Sequence, residues 1–162
     1  MVPQRISMTN QRGFGLAELM VVVAVLGIIT VVGTPLLLTY LQASQTRGAA
    51  QEIVTFLNQA RQLAITQNVQ HCVEFDVAGN RLRFHQMPGT TTCLSGTVWL
   101  GPGTDGSGWM RLQNQAAITS ANANPSFTPL GAASGATITV QNSQGTSSLS
   151  VVVSPVGRIR IQ

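Results

Sequence analysis

From position 19 to position 41 the chain carries no charged side chain, and Leu, Val, Ile and Ala fill most of the stretch. At a rise of about 1.5 Å per residue, such a run taken as a helix crosses a hydrocarbon core of about 30 Å. It predicts a membrane-spanning or otherwise apolar helix over 14–41. Over 42–67 the pattern becomes amphipathic: Ala49, Ile53, Leu57, Ala60 and Ala64 recur at helical spacing, and Ala50, Phe56 and Leu63 widen the stripe. Gln51, Glu52, Thr55, Gln59 and Gln62 fall opposite. Gly48 weakens this helix by about 1 kcal/mol relative to Ala without ending the pattern.

Over 69–162 the period drops to two. Val73, Phe75 and Val77 alternate with Cys72, Glu74 and Asp76; Ala78, Gly79 and Asn80 make a tight turn; Leu82 and Phe84 alternate with Arg81, Arg83 and His85. This is a hairpin with one apolar face. Further strands are predicted at 97–100, 136–141, 149–154 and 158–161, separated by Gly, Pro, Ser and Asn clusters, while 101–108 and 121–135 read as loops. The expected fold is α+β, a long N-terminal helix packed on one C-terminal antiparallel sheet. Residues 42–162 form a single small domain.

The flank before the apolar run changes its meaning. Residues 1–13 are polar, carry Arg5 and Arg12, and lack the apolar core and small-residue cleavage site of a secretory signal. The arginines favour a cytoplasmic N-terminus, which puts 42–162 on the far side of the membrane. Glu18 places a carboxylate at the start of the span, where a charge is costly. Either it reaches the headgroups of an ordinary anchor, or it has a partner.

The chain has nine basic residues, all arginine, against five acids. After Asp105 there is no acid, while Arg111, Arg158 and Arg160 lie in that stretch, so an anion-attracting face includes the C-terminal end. In the terminal strand Arg158 and Arg160 project together and Ile159 and Ile161 face the core. Guanidinium groups so arranged suit phosphate oxygens, and equally suit a solvated edge strand that discourages strand addition. Gly157 permits either a close backbone approach or an unusual turn.

Cys72 and Cys93 are the only cysteines. In an exported domain the pair reads as a disulfide, worth about 3 kcal/mol in the chain-entropy model. The rival reading is a Cys/His metal site with His71 and His85. No C-x-x-C or H-x-x-x-H spacing supports it, and both histidines fit strand alternation as exposed side chains, so neither metal nor cofactor is expected. No nucleophile elbow or phosphate-binding loop is present. Enzymatic activity is not expected; a pocket around Glu74 or Asp76 would revive it.

A short basic leader ending in Gly13, then Phe14, a carboxylate five residues on at Glu18, and a long apolar helix resemble the class III leader of type IV pilins and type II secretion pseudopilins. Gly15 and Ala17 stand where such chains more often have Thr and Ile, and Pro35 falls where many of them kink this helix. The resemblance implies cleavage after Gly13 by a prepilin peptidase, methylation of the Phe14 amine, and pairing of Glu18 with a neighbour's amine during filament assembly. Pro125, Ser126, Phe127, Thr128, Pro129, Leu130 and Gly131, then 136–140, then Gly157, Arg158, Ile159 and Arg160 resemble the GspH/FimT family of minor pilins and pseudopilins. Its FimT-type members imply binding of double-stranded DNA during natural transformation through Gly157, Arg158 and Arg160, with Arg111, or Arg81 and Arg83, widening the patch. The leading expectation is therefore a minor type IV pilin, extracellular when assembled in a retractable pilus; the other is a purely structural subunit, either a pilus-priming minor pilin or a pseudopilin of a type II secretion system, with no use for the arginines.

Overall fold

The computed structural model describes residues 15–89, 92–114 and 116–162. It divides into compact units at 1–39 and 40–162. Helix α1 (Leu16–Gln67) begins in the first and ends in the second, running through Pro35.

In the first unit every described residue is exposed, as suits a largely apolar helix whose partners are lipid or other helices. The helix is long and apolar enough to cross a membrane. Its hydroxyls turn inward on the backbone: Thr30 donates to the Leu26 carbonyl at 2.7 Å and Thr34 to that of Thr30 at 2.6 Å. Neither polar group is thereby presented bare to an apolar medium.

In the second unit the amphipathic stripe is buried as its spacing predicts. Ala49, Ala50, Ile53, Leu57, Ala60 and Ala64 are all fully buried, with Val54, Phe56 and Leu63 packed partly against the same core. Burial of Ile53 or Leu57 contributes about 1.5–3 kcal/mol each. The helix ends where Asn68 enters the left-handed region at φ 52°, a conformation that Asn tolerates at a C-terminus.

Two antiparallel sheets complete the domain, where the periodicity suggested one. The first joins β1 (His71–Asp76), β2 (Arg81–Gln86), β3 (Thr97–Val98), β4 (Met110–Arg111) and β6 (Ser126–Phe127) in the order β3-β2-β1-β6, with β4 also on β2. The second is β5 (Ala116–Ala121), β7 (Ala136–Asn142), β8 (Ser148–Val153) and β9 (Ile159–Ile161), in the order β5-β7-β8-β9. Val73, Leu82 and Phe84 from the first sheet, with Ile118, Ile138, Val140 and Val151 from the second, share one core with the helix.

Several expectations are corrected. The stretch 121–135 is not wholly loop, since it holds β6 and the fully buried Phe127. His71 and His85 are 0% and 1% exposed, not solvated, because each finds a hydrogen-bond acceptor inside the domain. Ile159 packs partly on the core, but Ile161 is 38% exposed, since β9 is the edge of its sheet and has nothing beyond it.

Candidate functional site

Strand β8 turns into β9 through Ser154, Pro155, Val156, Gly157 and Arg158. The Gly157 N–H donates to the Ser154 carbonyl at 2.9 Å, and the Ser154 N–H to the Arg158 carbonyl at 2.9 Å. Proline pre-sets the entry to the turn, and Gly157 closes it in the left-handed region at φ 77°. Arg160 is registered opposite Val152, and Arg158, two residues earlier, shares its face. Both arginines are exposed and border a shallow groove of about 290 Å³ with Val152, Ser154, Val156 and Gln162. The same sheet presents Thr139 and Ser150, whose hydroxyls lie 3.3 Å apart, and it contains no acidic residue. Neither Arg158 nor Arg160 has a carboxylate partner among the described residues.

The turn has a twin. Thr128, Pro129, Leu130, Gly131 and Ala132 repeat its chemistry, with Gly131 N–H to Thr128 carbonyl and Thr128 N–H to Ala132 carbonyl both at 2.8 Å, and Gly131 at φ 81°. The two turns abut. A Cβ on Gly157 would collide with the Gly131 carbonyl oxygen, and the Ala133 N–H donates to the Pro155 carbonyl at 3.0 Å. Each lifts an aliphatic side chain into solvent, Leu130 and Val156. Gly157 therefore serves the turn geometry. The repeated Ser/Thr-Pro-aliphatic-Gly pattern was legible in the sequence as a pair of matched turns.

The remaining arginines divide. Arg81 Nε lies 2.7 Å from Asp76, Arg83 pairs with Glu74, and both guanidinium carbons stand 4.3 Å from the centre of the Trp109 ring. Arg111 is exposed on β4 and registered opposite Arg81, in the sheet that does not hold Arg158 and Arg160. Partial burial pushes the Glu74 carboxyl upward, but hydrogen bonds from Arg83 and His85 outweigh it and hold the group below its ordinary range. The Gly79 N–H and Arg81 do the same for Asp76. A general acid needs the opposite shift, and neither carboxylate lines the C-terminal groove.

Cys72 and Cys93 form a disulfide with Cα atoms 5.5 Å apart, so neither is a free thiol. Among the described residues no three His, Cys, Asp or Glu side chains converge as metal ligands would. His71 accommodates its burial differently: its Nδ1 lies 2.9 Å from the Val69 carbonyl, Nε2 is buried without a partner among the described residues, and burial lowers its pKa against the raising effect of that bond.

At the other end of the chain Glu18 lies in the first turn of α1. Gly13 and Phe14 lie outside the described residues.

The N-terminal segment 8–34 matches the prokaryotic N-terminal methylation motif. Residues 49–157 match the profile of the type II transport protein GspH. Among curated proteins none matches significantly. Among solved structures, the minor pseudopilin EpsH of the Vibrio cholerae type 2 secretion system superimposes with a TM-score of 0.57 at 17% identity, covering 73% of this chain and 96% of that one. The solution structure of Escherichia coli GspH gives 0.55 at 14% identity, covering 74% and 89%. At these identities the likeness establishes the fold, a pilin-like helix on antiparallel sheets. The profile match spans most of the domain, ending at Gly157 and leaving Arg158 and Arg160 beyond it, and on that ground the chain belongs to the GspH family of minor pseudopilins and pilins.

Proposed function

We propose that the chain is a minor type IV pilin that enters a retractable filament and holds extracellular double-stranded DNA by its phosphates through Arg158 and Arg160. The observation that carries this reading is the exposed pair of guanidinium groups on Arg158, at the end of the β8–β9 turn, and Arg160 in β9, without counter-ions among the described residues and beside a sheet with no acid. Contact of this kind is blind to base sequence and disappears with salt. Two arginines give weak binding per subunit, and several subunits along a filament add avidity where their spacing lets one duplex engage them together. Arg111 offers a further cation on the other sheet.

Assembly on this reading begins with a prepilin peptidase cutting after Gly13 at the inner membrane, with the domain on the periplasmic side. The methylated Phe14 amine then meets Glu18 of a neighbouring subunit, each charge offsetting the other's desolvation. The disulfide suits an oxidising compartment.

A second reading, favoured by the match of residues 49–157 to the type II transport protein GspH, is a structural minor pseudopilin of a type II secretion system. One experiment separates the two. In cells carrying Arg158→Ala with Arg160→Ala, lost DNA uptake with normal surface pili supports DNA binding. Normal DNA uptake removes it. Lost secretion or lost pili instead assigns the arginines to assembly.

A further inference from the structure

Arg61 belongs to the second half of α1, on the polar side of the stripe by spacing, and is half-buried in the structure. Its guanidinium lies against both matched turns. Nε stands 3.2 Å from the position a Cβ would take on Gly131 and 3.3 Å from that on Gly157, and Nη2 is also 3.2 Å from the Gly131 position. The two left-handed glycines thus leave the space that the guanidinium fills, one residue before Arg158.

No carboxylate among the described residues pairs with this cation. Glu52 is held by the Gln113 N–H and the Asn114 amide, Glu74 by Arg83 and His85, Asp76 by Arg81, and Asp105 by the Ser107 and Trp109 N–H groups. Arg61 Nε is moreover buried with no hydrogen-bond acceptor among the described residues. With Nε shut in by the two turns, the guanidinium meets an anion from outside through its Nη groups, which are not buried and have no hydrogen-bond partner among the described residues. Resting on the DNA reading above, we infer that Arg61 is a third phosphate-binding cation of the Arg158 and Arg160 site, held against the paired glycine turns and reaching a phosphate beside the one that Arg158 contacts. The site then spans helix and sheet.

The test uses the full chain in non-ionic detergent and a fluorescein-labelled duplex of mixed sequence, with affinity measured across a salt series. Arg61→Gln should make the slope of log affinity against log salt shallower by about 0.9, the share of one phosphate contact, and Arg61→Lys should restore it. An unchanged slope in Arg61→Gln, with a shallower one in Arg158→Ala plus Arg160→Ala, overturns this inference and leaves the DNA reading standing. An unchanged slope in that double variant overturns the DNA reading, and the inference with it. A measurement on the unaltered chain covers the case in which Arg61→Gln fails to fold. The Nε–H resonance of Arg61 should move when the duplex is added. A stationary resonance, or one that moves only when subunits assemble, overturns the inference, the latter outcome giving the acceptor to a neighbouring chain.

Discussion

Gly157 and Gly131 sit so close that no side chain fits between them: a Cβ on Gly157 would meet the Gly131 carbonyl oxygen, while both residues hold positive φ, 77° and 81°. Gly157→Ala therefore carries two costs, left-handed strain and a collision with backbone that cannot rotate away. The expected loss is about 2–4 kcal/mol, read from the urea midpoint of the oxidised chain. Gly145→Ala is the control. It shares the positive φ, at 71°, but its Cβ would meet only a side-chain nitrogen at 3.5 Å, so it should lose only the strain. Equal losses in the two variants would remove the collision from the account.

Much of this architecture was legible from periodicity alone. The buried stripe from Ala49 to Ala64 and the β1–β2 hairpin follow from spacings of 3.6 and 2, since each element buries one face. Strand β5 was not legible. Its register shifts between Ile118 and Ser120, which breaks the alternation, and its first two residues are alanines with little strand preference. The buried histidines were misjudged because alternation assigns a face without revealing which internal acceptors will satisfy a polar ring. Arg158 and Arg160 were readable as a pair on one strand, whereas the place of Arg61 depends on two turns, each distant from it in sequence, meeting over one helix.

Acid should destabilise the domain in two stages, both of one sign. His71 has a folded-state pKa lowered from the ordinary 6.5 by burial, so as pH falls through 6.5 the unfolded chain takes up its proton first. Glu74, pushed up by burial but more strongly lowered from 4.5 by Arg83 and His85, repeats this at lower pH, the unfolded carboxyl protonating before the folded one. In each case the unfolded state binds more protons, so stability rises with pH and is lost below each ordinary value. Urea unfolding at pH 7.5, 5.5 and 4.0 reads the stages. His71→Asn keeps a donor for the Val69 carbonyl but does not titrate, and should abolish the upper stage while leaving the lower. An upper stage that persists in this variant would assign it elsewhere.

The disulfide joins β1 to the short 3-10 turn Cys93–Ser95 across a sequence separation of 21. Closing a loop of that size restricts the unfolded chain, and replacing both cysteines by alanine should lower stability by about 3 kcal/mol. Because the constraint acts on the unfolded state, the urea dependence of the variant should also steepen as its unfolded chain expands. A variant as stable as the parent would mean that the bridge closes a loop already held by β2 and β3.

Asn80 ties the two sheets together. From the β1–β2 turn its side-chain amide donates to the Ala116 carbonyl at 2.8 Å and accepts from the Ile118 N–H at 2.9 Å, so one side chain does for the outer edge of β5 what a neighbouring strand would do. Its φ of 48° is a conformation that asparagine tolerates and alanine does not favour. Asn80→Ala leaves an edge donor and acceptor without partners and adds backbone strain, for an expected loss of about 2–4 kcal/mol. Asn80→Gly loses the same two bonds but relieves the strain, and should recover about 1 kcal/mol of it. In both variants the Ile118 N–H should exchange with deuterium far faster than in the parent, while that of Val151, in the centre of the same sheet, should follow only the change in global stability. If the Ile118 amide stays as protected as the Val151 amide, the edge of β5 is held by packing and the Asn80 amide is incidental to it.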